Sequence, residues 1–398
     1  MLKKLAKRNR VITRSKTLAV AAKAGKLKKQ GEDIVTLTVG EPDFPTPANI
    51  KETAFQAIND NFTKYTGAGG TDELKLAIVD KYKKDFDVDI TCANVIVSNG
   101  AKHSIVNVVL SICDPGDEVL IPTPSWVSYP HIVRLAGARP RYIYSDETTN
   151  FKVTAKMLRE NITPQTKLLI LCSPSNPTGS VYTKQELVWL AKVIEETGIY
   201  VIFDEIYEKL IYREWEHYSM IKIDKIRENI ICVNGVSKSY AMTGWRIGYA
   251  VGDKKIINAA HKFQSHTTSN PNSIAQMAAL EAISGDQSEI EKMRKVFEDR
   301  CAKGYKLINS IPHTKCFEPK GAFYFFVDFS HYLGMSFNDK VMETVSDLCD
   351  FFIDEIKVAV VTGEPFGSDK HVRFSFACSD KEFKKGVDRI KKGLLLLK

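Results

Sequence analysis

A lysine among hydroxyl-bearing and small residues, with an arginine eight positions further on, is the part of this sequence best suited to chemistry. The stretch runs from Ser237 to Arg246 and reads SKSYAMTGWR. The amine of Lys238 can form a Schiff base with an aldehyde. Arg246 and Ser237 can together hold a phosphate through charge-assisted hydrogen bonds. Pyridoxal 5′-phosphate (PLP) carries both groups, so the stretch predicts a site for this cofactor.

An isolated Ser-Lys pair would more often be structural, but the longer string carries more information. From Ser237 to Tyr249 it resembles the lysine segment of fold-type I aminotransferases of class I, most closely their bacterial-type aspartate aminotransferase branch. The resemblance extends from near Ser15 to the C-terminal helix. It implies the fold of type I PLP-dependent transferases, in which a large domain with a mostly parallel seven-stranded sheet between helices accompanies a smaller α+β domain.

Asp204 and Tyr207 form the second predicted part of the site. Asp204 ends the apolar run that begins at Tyr200, and a carboxylate at the end of a buried strand must be paired or functional. Beside Lys238, it would keep the pyridine nitrogen of PLP protonated, and the positive ring would stabilise the carbanion formed when the substrate loses its α-proton. Tyr207, one turn further on, could reach the phenolic oxygen of the cofactor.

Three further motifs contribute to the predicted cofactor site. The small-residue turn at Gly100, Ala101 and Lys102 opens a helix, and free N–H groups at a helix start suit a phosphate. The resemblance assigns this turn to the PLP phosphate. It also implies that Trp126 stacks on the cofactor ring and that Asn176 hydrogen-bonds the phenolic oxygen and the substrate carboxylate. Taken alone, each motif could equally be structural.

The substrate side of the site is predicted from positions near both ends of the chain. Arg373 alternates with apolar strand residues and could by itself point to solvent, but in the family this position clamps the α-carboxylate, a task that suits guanidinium. Gly40 follows a predicted strand over Ile34–Val39 and begins a loop whose backbone is free to meet a ligand. The resemblance further implies that Thr17 and Lys102 recognise an acidic side chain.

The secondary-structure elements that would position these residues are predicted from the pattern of apolar residues along the chain. Between residues 46 and 284, apolar runs such as Tyr200–Phe203 alternate with helix-like segments, which indicates a mostly parallel sheet covered on both faces. After residue 284, apolar residues at helical spacing predict a long helix from Ile290 to Ile308. We expect a large domain over residues 46–284 and a small domain built from residues 1–45 and 285–398.

Composition narrows the class of protein. The 56 basic and 48 acidic residues give a net charge of +8 that is spread along the chain, which favours anionic small molecules over nucleic acid. The eight cysteines form no C-x-x-C pair and predict reduced thiols in a cytosolic protein.

The basic N-terminus lacks the apolar core of a secretory signal. No apolar run approaches the ~20 residues of a membrane span. We expect a cytoplasmic enzyme, with no membrane partner and no metal.

The expected reaction is transfer of the amino group of L-aspartate, or a related amino acid, to 2-oxoglutarate. Prephenate or aromatic aminotransferases would use the same cofactor residues with a different distal pocket. A PLP-dependent β-lyase would share Lys238 and Asp204 but release ammonia and pyruvate. A PLP-binding regulator would need a DNA-binding segment, for which the chain has no room. The resemblance also implies a homodimer with shared sites, in which Tyr65 reaches the phosphate of the neighbouring subunit.

Overall fold

The computed structural model describes residues 5–13 and 16–398, with residues 7 and 16–18 described by their backbone only. The helices are α1 (Lys16–Lys29), α2 (Ala48–Asn59), α3 (Asp72–Phe86), α4 (Ala101–Ile112), α5 (Tyr129–Leu135), α6 (Ala155–Asn161), α7 (Lys184–Thr197), α8 (Lys254–Thr267), α9 (Ser273–Ser284), α10 (Ser288–Ile308), α11 (Val345–Asp354) and α12 (Asp380–Leu394). Within this described part, no helix combines the length and the apolar character needed to cross a membrane.

The strands are short and alternate with these helices through the middle of the chain. They are β1 (Val35–Thr36), β2 (Val95–Ser98), β3 (Glu118–Thr123), β4 (Arg139–Tyr144), β5 (Thr166–Cys172), β6 (Tyr200–Asp204), β7 (Ile230–Gly235), β8 (Gly248–Val251), β9 (Lys315–Cys316), β10 (Tyr324–Asp328), β11 (Ser336–Phe337), β12 (Lys340–Val341), β13 (Val358–Ala359), β14 (Val361–Thr362) and β15 (His371–Ser375).

A seven-stranded sheet is the centre of the fold, with strand order β2-β8-β7-β6-β5-β3-β4. Only β8 runs antiparallel to its neighbours, so the predicted mostly parallel sheet is confirmed. Alternate residues of its strands enter different apolar clusters. On β6, Val201 and Phe203 pack in one cluster and Ile202 in another. The sheet is therefore buried on both faces, which is why its strands are apolar at successive positions.

Local sequence determines where α7 begins and ends. Thr183 caps the helix by accepting from the Glu186 amide, while the Glu186 carboxylate accepts from the Thr183 amide at 2.8 Å. This is a capping box, and it satisfies two amides that have no partner within the helix. The helix ends at Gly198, whose φ of 69° is in the left-handed region that glycine tolerates best.

A second, antiparallel sheet has the order β14-β15-β10-β9 and lies within a separate apolar cluster. The predicted helix over Ile290–Ile308 lies within α10, and its residues Phe297, Cys301 and Ile308 belong to this same cluster. The cluster also contains residues from the middle of the chain, such as Tyr207. The division at residues 46 and 284 stays a prediction.

The predicted strand over Ile34–Val39 is wrong in its length, because only Val35–Thr36 pair as a strand, with β13. Leu37 then donates to Ala359 at 2.9 Å and accepts from Ser375 at 2.8 Å. The segment thus bonds two different strands in turn. This leaves the residues that follow free to enter the site as a loop.

The carboxyl ends of β5, β6 and β7 lie side by side at one edge of the main sheet. Asn176 lies shortly after β5, Asp204 is the last residue of β6, and Lys238 lies shortly after β7. Neighbouring parallel strands end at the same edge of a sheet, so residues far apart in sequence meet there. This edge is where the candidate site lies.

Candidate active site

A cavity of about 480 Å³ opens at this edge of the sheet. Among its lining residues are eleven that the sequence predicted: Gly40, Ala101, Lys102, Trp126, Asn176, Asp204, Tyr207, Ser237, Lys238, Arg246 and Arg373. The predicted residues therefore come together in one place, although they are drawn from positions across the chain. Helix α1 contributes Ala21 to the lining.

Lys238 projects from the loop after β7 and is largely buried. Its amine donates a hydrogen bond to the carbonyl oxygen of Gly40. Burial lowers the pKa of Lys238 from its ordinary value to about 8; the nearby cations Arg373 and Arg246 also lower it, while Glu41 and Asp204 oppose the shift. A lysine amine that is substantially neutral near pH 8 can act as a nucleophile or a base.

Asp204 is buried at the end of β6, with 4% of its surface exposed. Its Oδ2 accepts from the hydroxyl of Tyr129 at 2.7 Å, and its Oδ1 accepts from the amide of Ile206 at 3.2 Å. Burial raises the pKa of Asp204 to about 6, with the hydrogen bond from Tyr129 acting in the opposite direction. Above that pH the cavity contains a buried carboxylate that can pair with a cationic ligand group.

The start of α4 forms an anion-binding corner. Gly100 precedes the helix with a φ of 87°, and no side chain caps this end. The first amides of a helix have no partner within it, so they remain available to a ligand. Arg246 lies against this turn, because a Cβ at Gly100 would fall 2.4 Å from its Nη2. Gly100 itself is not a lining residue, but any larger residue there would displace the guanidinium.

Arg246 is positioned by the turn that precedes it. Its Nη1 donates to the carbonyl of Thr243 at 2.9 Å, and the hydroxyl of Thr243 donates to Glu41 at 2.7 Å. The side chain remains exposed. Among the described residues no carboxylate lies within ion-pair distance of Arg246, so its charge is available to an anion such as a phosphate.

Arg373 lies on β15, lines the cavity and is 4% exposed. Its Nη1 donates to Asn176 Oδ1 at 3.0 Å, and its Nη2 donates to the carbonyl of Thr38 at 2.9 Å. The guanidinium carbon lies 4.4 Å from the centroid of the Tyr324 ring. Its Nε is buried without a hydrogen-bond partner. Since no described carboxylate pairs with it, this buried cation can bind a carboxylate of a ligand.

Lys102 and Trp126 also line the cavity. The Lys102 amine lies 4.9 Å from the centroid of the Trp126 ring, a cation–π distance. Partial burial, together with the positive charge of Arg246, lowers the pKa of Lys102. The Trp126 ring meets the Tyr129 ring edge-on, with centroids 5.3 Å apart.

Sequence reasoning missed three residues that the site uses. Tyr129 bonds Asp204, Tyr324 shares a hydrogen bond of 3.0 Å with Tyr207, and Glu41 accepts from Thr243. Tyr324 is one of a run of aromatic residues that is typical of core. Tyr129 lies three positions after Trp126 in the sequence, and Glu41 directly follows Gly40. Their closeness in sequence to these predicted residues was the signal that could have identified them.

Three predicted residues do not line the cavity, namely Gly100, described above, and Tyr65 and Thr17. The hydroxyl-bearing Tyr65 is 91% exposed on the surface of the single chain. The side chain of Thr17 lies outside the described residues, although its helix, α1, reaches the cavity through Ala21. Their predicted roles stay predictions.

The chain belongs to the aminotransferase class I and II family, which residues 32–390 match. It is 44% identical to the aspartate aminotransferase of Bacillus sp. (strain YM-2), over 97% of this chain and 98% of that protein. It is 41% identical to the aspartate/prephenate aminotransferase of Nitrosomonas europaea, over 97% of this chain and 98% of that protein. The resemblance drawn from the sequence is therefore confirmed.

A solved structure supports the same assignment of the fold. The aspartate aminotransferase of Thermus thermophilus, solved with maleate, matches this chain with a TM-score of 0.93 at 37% identity. The match covers 98% of this chain and 100% of that one. The predicted fold class and the aminotransferase family are both confirmed.

Proposed function

We propose that this protein transfers the amino group of L-aspartate to 2-oxoglutarate, with PLP as its cofactor and the two substrates reacting in turn. One observation carries the proposal. A single cavity contains an amine of lowered pKa, a buried carboxylate and two arginines, Arg246 and Arg373, for which the described residues offer no carboxylate partner. These are the groups needed to hold an aldehyde, a cationic ring, a phosphate and an amino acid.

The residues present fit PLP. The amine of Lys238 would meet the aldehyde, Asp204 would meet the ring nitrogen, and Trp126 would cover the ring. The phosphate would be held by the corner made of Ser237, Arg246 and the backbone around Gly100, Ala101 and Lys102, and the phenolic oxygen by Asn176 and Tyr207. When bound, PLP supplies an aldehyde that condenses with amines and an electron-poor ring that stabilises negative charge on the substrate carbon.

Lys238 then acts as the proton carrier. Its Nζ would take the proton from the substrate Cα and hold it for transfer to the former aldehyde carbon of the cofactor. A base works best when its pKa lies near the working pH, and that of Lys238 is lowered to about 8. The carbonyl of Gly40, which accepts from this amine, orients it in the free protein.

The substrate would be held by charge at two points. Arg373 would bind the α-carboxylate through the two N–H groups of its fork, exchanging its neutral acceptors for a charged one. Lys102, together with Thr17 as the family resemblance implies, would hold the distal carboxylate. The names of the relatives and the maleate in the Thermus thermophilus structure, itself a four-carbon dicarboxylate, support an acidic substrate.

A second candidate substrate is prephenate, which also carries two carboxylates. The relative from Nitrosomonas europaea is named for both substrates. Aromatic side chains also form much of the lining, namely Trp126, Tyr129, Tyr207, Tyr324 and Phe366. Such walls can accept a larger ring beside the same charged groups.

We further infer that the protein acts as a homodimer with shared sites. Tyr65 and the nearby Phe55, Ile58 and Phe62 are exposed apolar side chains in the single chain. Exposed apolar groups at close spacing are typical of a surface that another chain covers. In a dimer, Tyr65 would reach the phosphate corner of its partner.

A donor panel tests the proposed reaction. Aspartate, phenylalanine and other amino acids are assayed with 2-oxoglutarate. Glutamate is assayed with oxaloacetate, because its reaction with 2-oxoglutarate returns the same pair. Prephenate is tested separately as acceptor, and all pairs are ranked by kcat/KM. We expect aspartate and glutamate to rank first, with detectable activity on aromatic donors. A higher rank for prephenate would favour the second candidate. Release of pyruvate and ammonia without any oxo acid would identify a β-lyase instead.

A further inference from the structure

We propose that Tyr129 is a positioning residue that acts through Asp204, donating its hydroxyl hydrogen so that Asp204 stays the anionic partner of the cofactor's ring nitrogen. The inference rests on the proposed function, since it needs a bound PLP ring. It assigns a task to a residue that no predicted motif contained.

Tyr129 is buried with its hydroxyl against the Asp204 carboxylate. It is the first residue of α5, 1% exposed, and its ring is fixed edge-on against Trp126. Its hydroxyl lies 2.7 Å from Asp204 Oδ2. The other oxygen, Oδ1, accepts from the amide of Ile206 at 3.2 Å. Among the described side chains, only Tyr129 donates a hydrogen bond to this carboxylate.

The pKa of the Tyr129 hydroxyl determines the direction of this hydrogen bond. Burial, reinforced by the negative charge of Asp204, raises the pKa of Tyr129 well above its ordinary value. The phenol therefore keeps its proton throughout the working pH range and can only donate to the carboxylate. Cys172, the register partner of Asp204 on β5, is also raised in pKa by burial and stays a neutral thiol.

A hydrogen bond donated to Asp204 affects whether a shared proton lies on the carboxylate or on the ring nitrogen of the cofactor. Burial raises the pKa of Asp204 to about 6, and the hydrogen bond from Tyr129 is the leading contribution that lowers it. Without that bond the carboxylate is more basic and competes for the proton of a neighbouring pyridinium. The proton would then move from the ring nitrogen to Asp204, and the ring would lose the charge that stabilises the substrate carbanion.

The test compares Tyr129→Phe with the parent, both loaded with PLP that carries ¹⁵N in its ring. The ¹⁵N chemical shift reports whether that nitrogen is protonated. We expect a protonated nitrogen in the parent and a shift toward the unprotonated form in Tyr129→Phe. We also expect kcat for aspartate to fall about 10- to 100-fold, with KM changed little, because a hydrogen bond to a charged group is lost. Tyr129→Met, which also lacks the donor, serves if the phenylalanine form does not fold.

Tyr332→Phe is the matched control. Tyr332 is also buried and donates its hydroxyl to the carbonyl of Pro312 at 2.7 Å, but it does not line the cavity. This variant loses the same oxygen atom from a buried phenol. Its ¹⁵N signal and kcat should match those of the parent.

A double-mutant cycle shows whether Tyr129 works through Asp204. In an Asp204→Asn background, Tyr129→Phe should change kcat less than about twofold, because the group on which Tyr129 acts has gone. Fully additive losses, or an unmoved ¹⁵N signal in Tyr129→Phe, would overturn the inference and leave Tyr129 as a support for Trp126. Near-normal activity of Asp204→Asn alone would instead refute the proposed role of Asp204.

Discussion

The cationic side chains of the cavity lack the carboxylate partners that buried lysines have elsewhere in the described chain. Elsewhere in the described chain, the buried lysines Lys81 and Lys152 each pair with a carboxylate, Glu208 at 2.7 Å and Glu186 at 2.5 Å. In the cavity, Lys238 is hydrogen-bonded to a carbonyl and Arg373 to an amide and a carbonyl. A buried cation without a counter-ion is costly to the fold, which indicates that a ligand supplies the missing negative charge.

At this scale the first prediction concerns the lysine that captures the cofactor. Borohydride treatment of the loaded enzyme, followed by peptide mapping, should place the pyridoxyl group on Lys238. Lys102 lines the same cavity and serves as the internal control. Lys238→Ala should lose nearly all transamination, because the nucleophile and the proton carrier disappear together. A label on Lys102, or on any other lysine, would contradict the assignment.

The second prediction follows from the lowered pKa of Lys238. Only the neutral amine attacks an aldehyde, and the neutral fraction rises as pH rises through the pKa. For the protein without cofactor, the rate of PLP capture should therefore increase with pH, with a midpoint near 8. Stopped-flow absorbance measures it. A rate still climbing steadily toward pH 10.5 would show an amine of ordinary basicity.

The third prediction tests Asp204. Asp204→Asn keeps the size of the side chain but removes the negative charge, so PLP should still bind while α-proton abstraction slows severely. Loss of the deuterium isotope label from Cα-deuterated aspartate reports that step directly. Glu205→Gln is the control, because Glu205 is the buried neighbour that pairs with His217 at 2.7 Å and does not line the cavity. A normal kcat in Asp204→Asn would mean that the ring charge is not needed.

At the scale of elements, one helix start serves two purposes. The turn before α4 offers free amides to the proposed phosphate site, while Lys102 in its first turn lies over the Trp126 ring, where we propose that the substrate binds. Arg246 packs so closely on Gly100 that the turn and the guanidinium form one unit. A substitution in this unit can therefore change cofactor binding and substrate binding by different amounts.

The fourth prediction separates these two effects. Lys102→Ala should raise KM for aspartate by about 5- to 150-fold, which corresponds to about 1–3 kcal/mol for a charged hydrogen bond. KM for phenylalanine should change much less, because that donor has no distal carboxylate. Steady-state assays with the two donors give the comparison. Equal losses for both would show that Lys102 serves the cofactor or the fold.

At the scale of the whole molecule, the proposed dimer makes the site a property of two chains. The cavity is lined by residues from Ala21 to Arg373, yet the exposed Tyr65 is not among them. An isologous dimer would bring the Tyr65 of each chain to the other chain's site. This arrangement can be tested with two inactive variants.

The fifth prediction is complementation between Tyr65→Ala and Lys238→Ala. If the sites are shared, a mixed dimer has one damaged site and one intact site, so mixing restores activity in about a quarter of all sites. If Tyr65 serves its own chain, every site keeps one lesion and mixing restores nothing. Subunits are exchanged under mild denaturation, and mass measurement in solution confirms the dimer. Each variant mixed with itself is the control.

The sequence by itself determined the elements and the family. Apolar runs on strands buried on both faces, helical spacing over Ile290–Ile308 and the capping box at Thr183 act over a few residues, so they can be read directly. The motifs around Lys238, Asp204 and Arg373 also lie within short strings. Their residue types point to a cofactor with an aldehyde and a phosphate before any contact is known.

Only the tertiary structure decided which of these groups touch. Tyr129 and Asp204 are 75 positions apart, and Arg373 is 197 positions from Asn176 and 335 from Thr38. Such contacts depend on strand order and on packing between sheets, which local spacing does not specify. The same holds for the short strand at Val35–Thr36, where bonding to two different strands overrode a uniform β-like run. Hydrogen-bond partners, and with them the pKa of each group, are therefore a consequence of the folded chain.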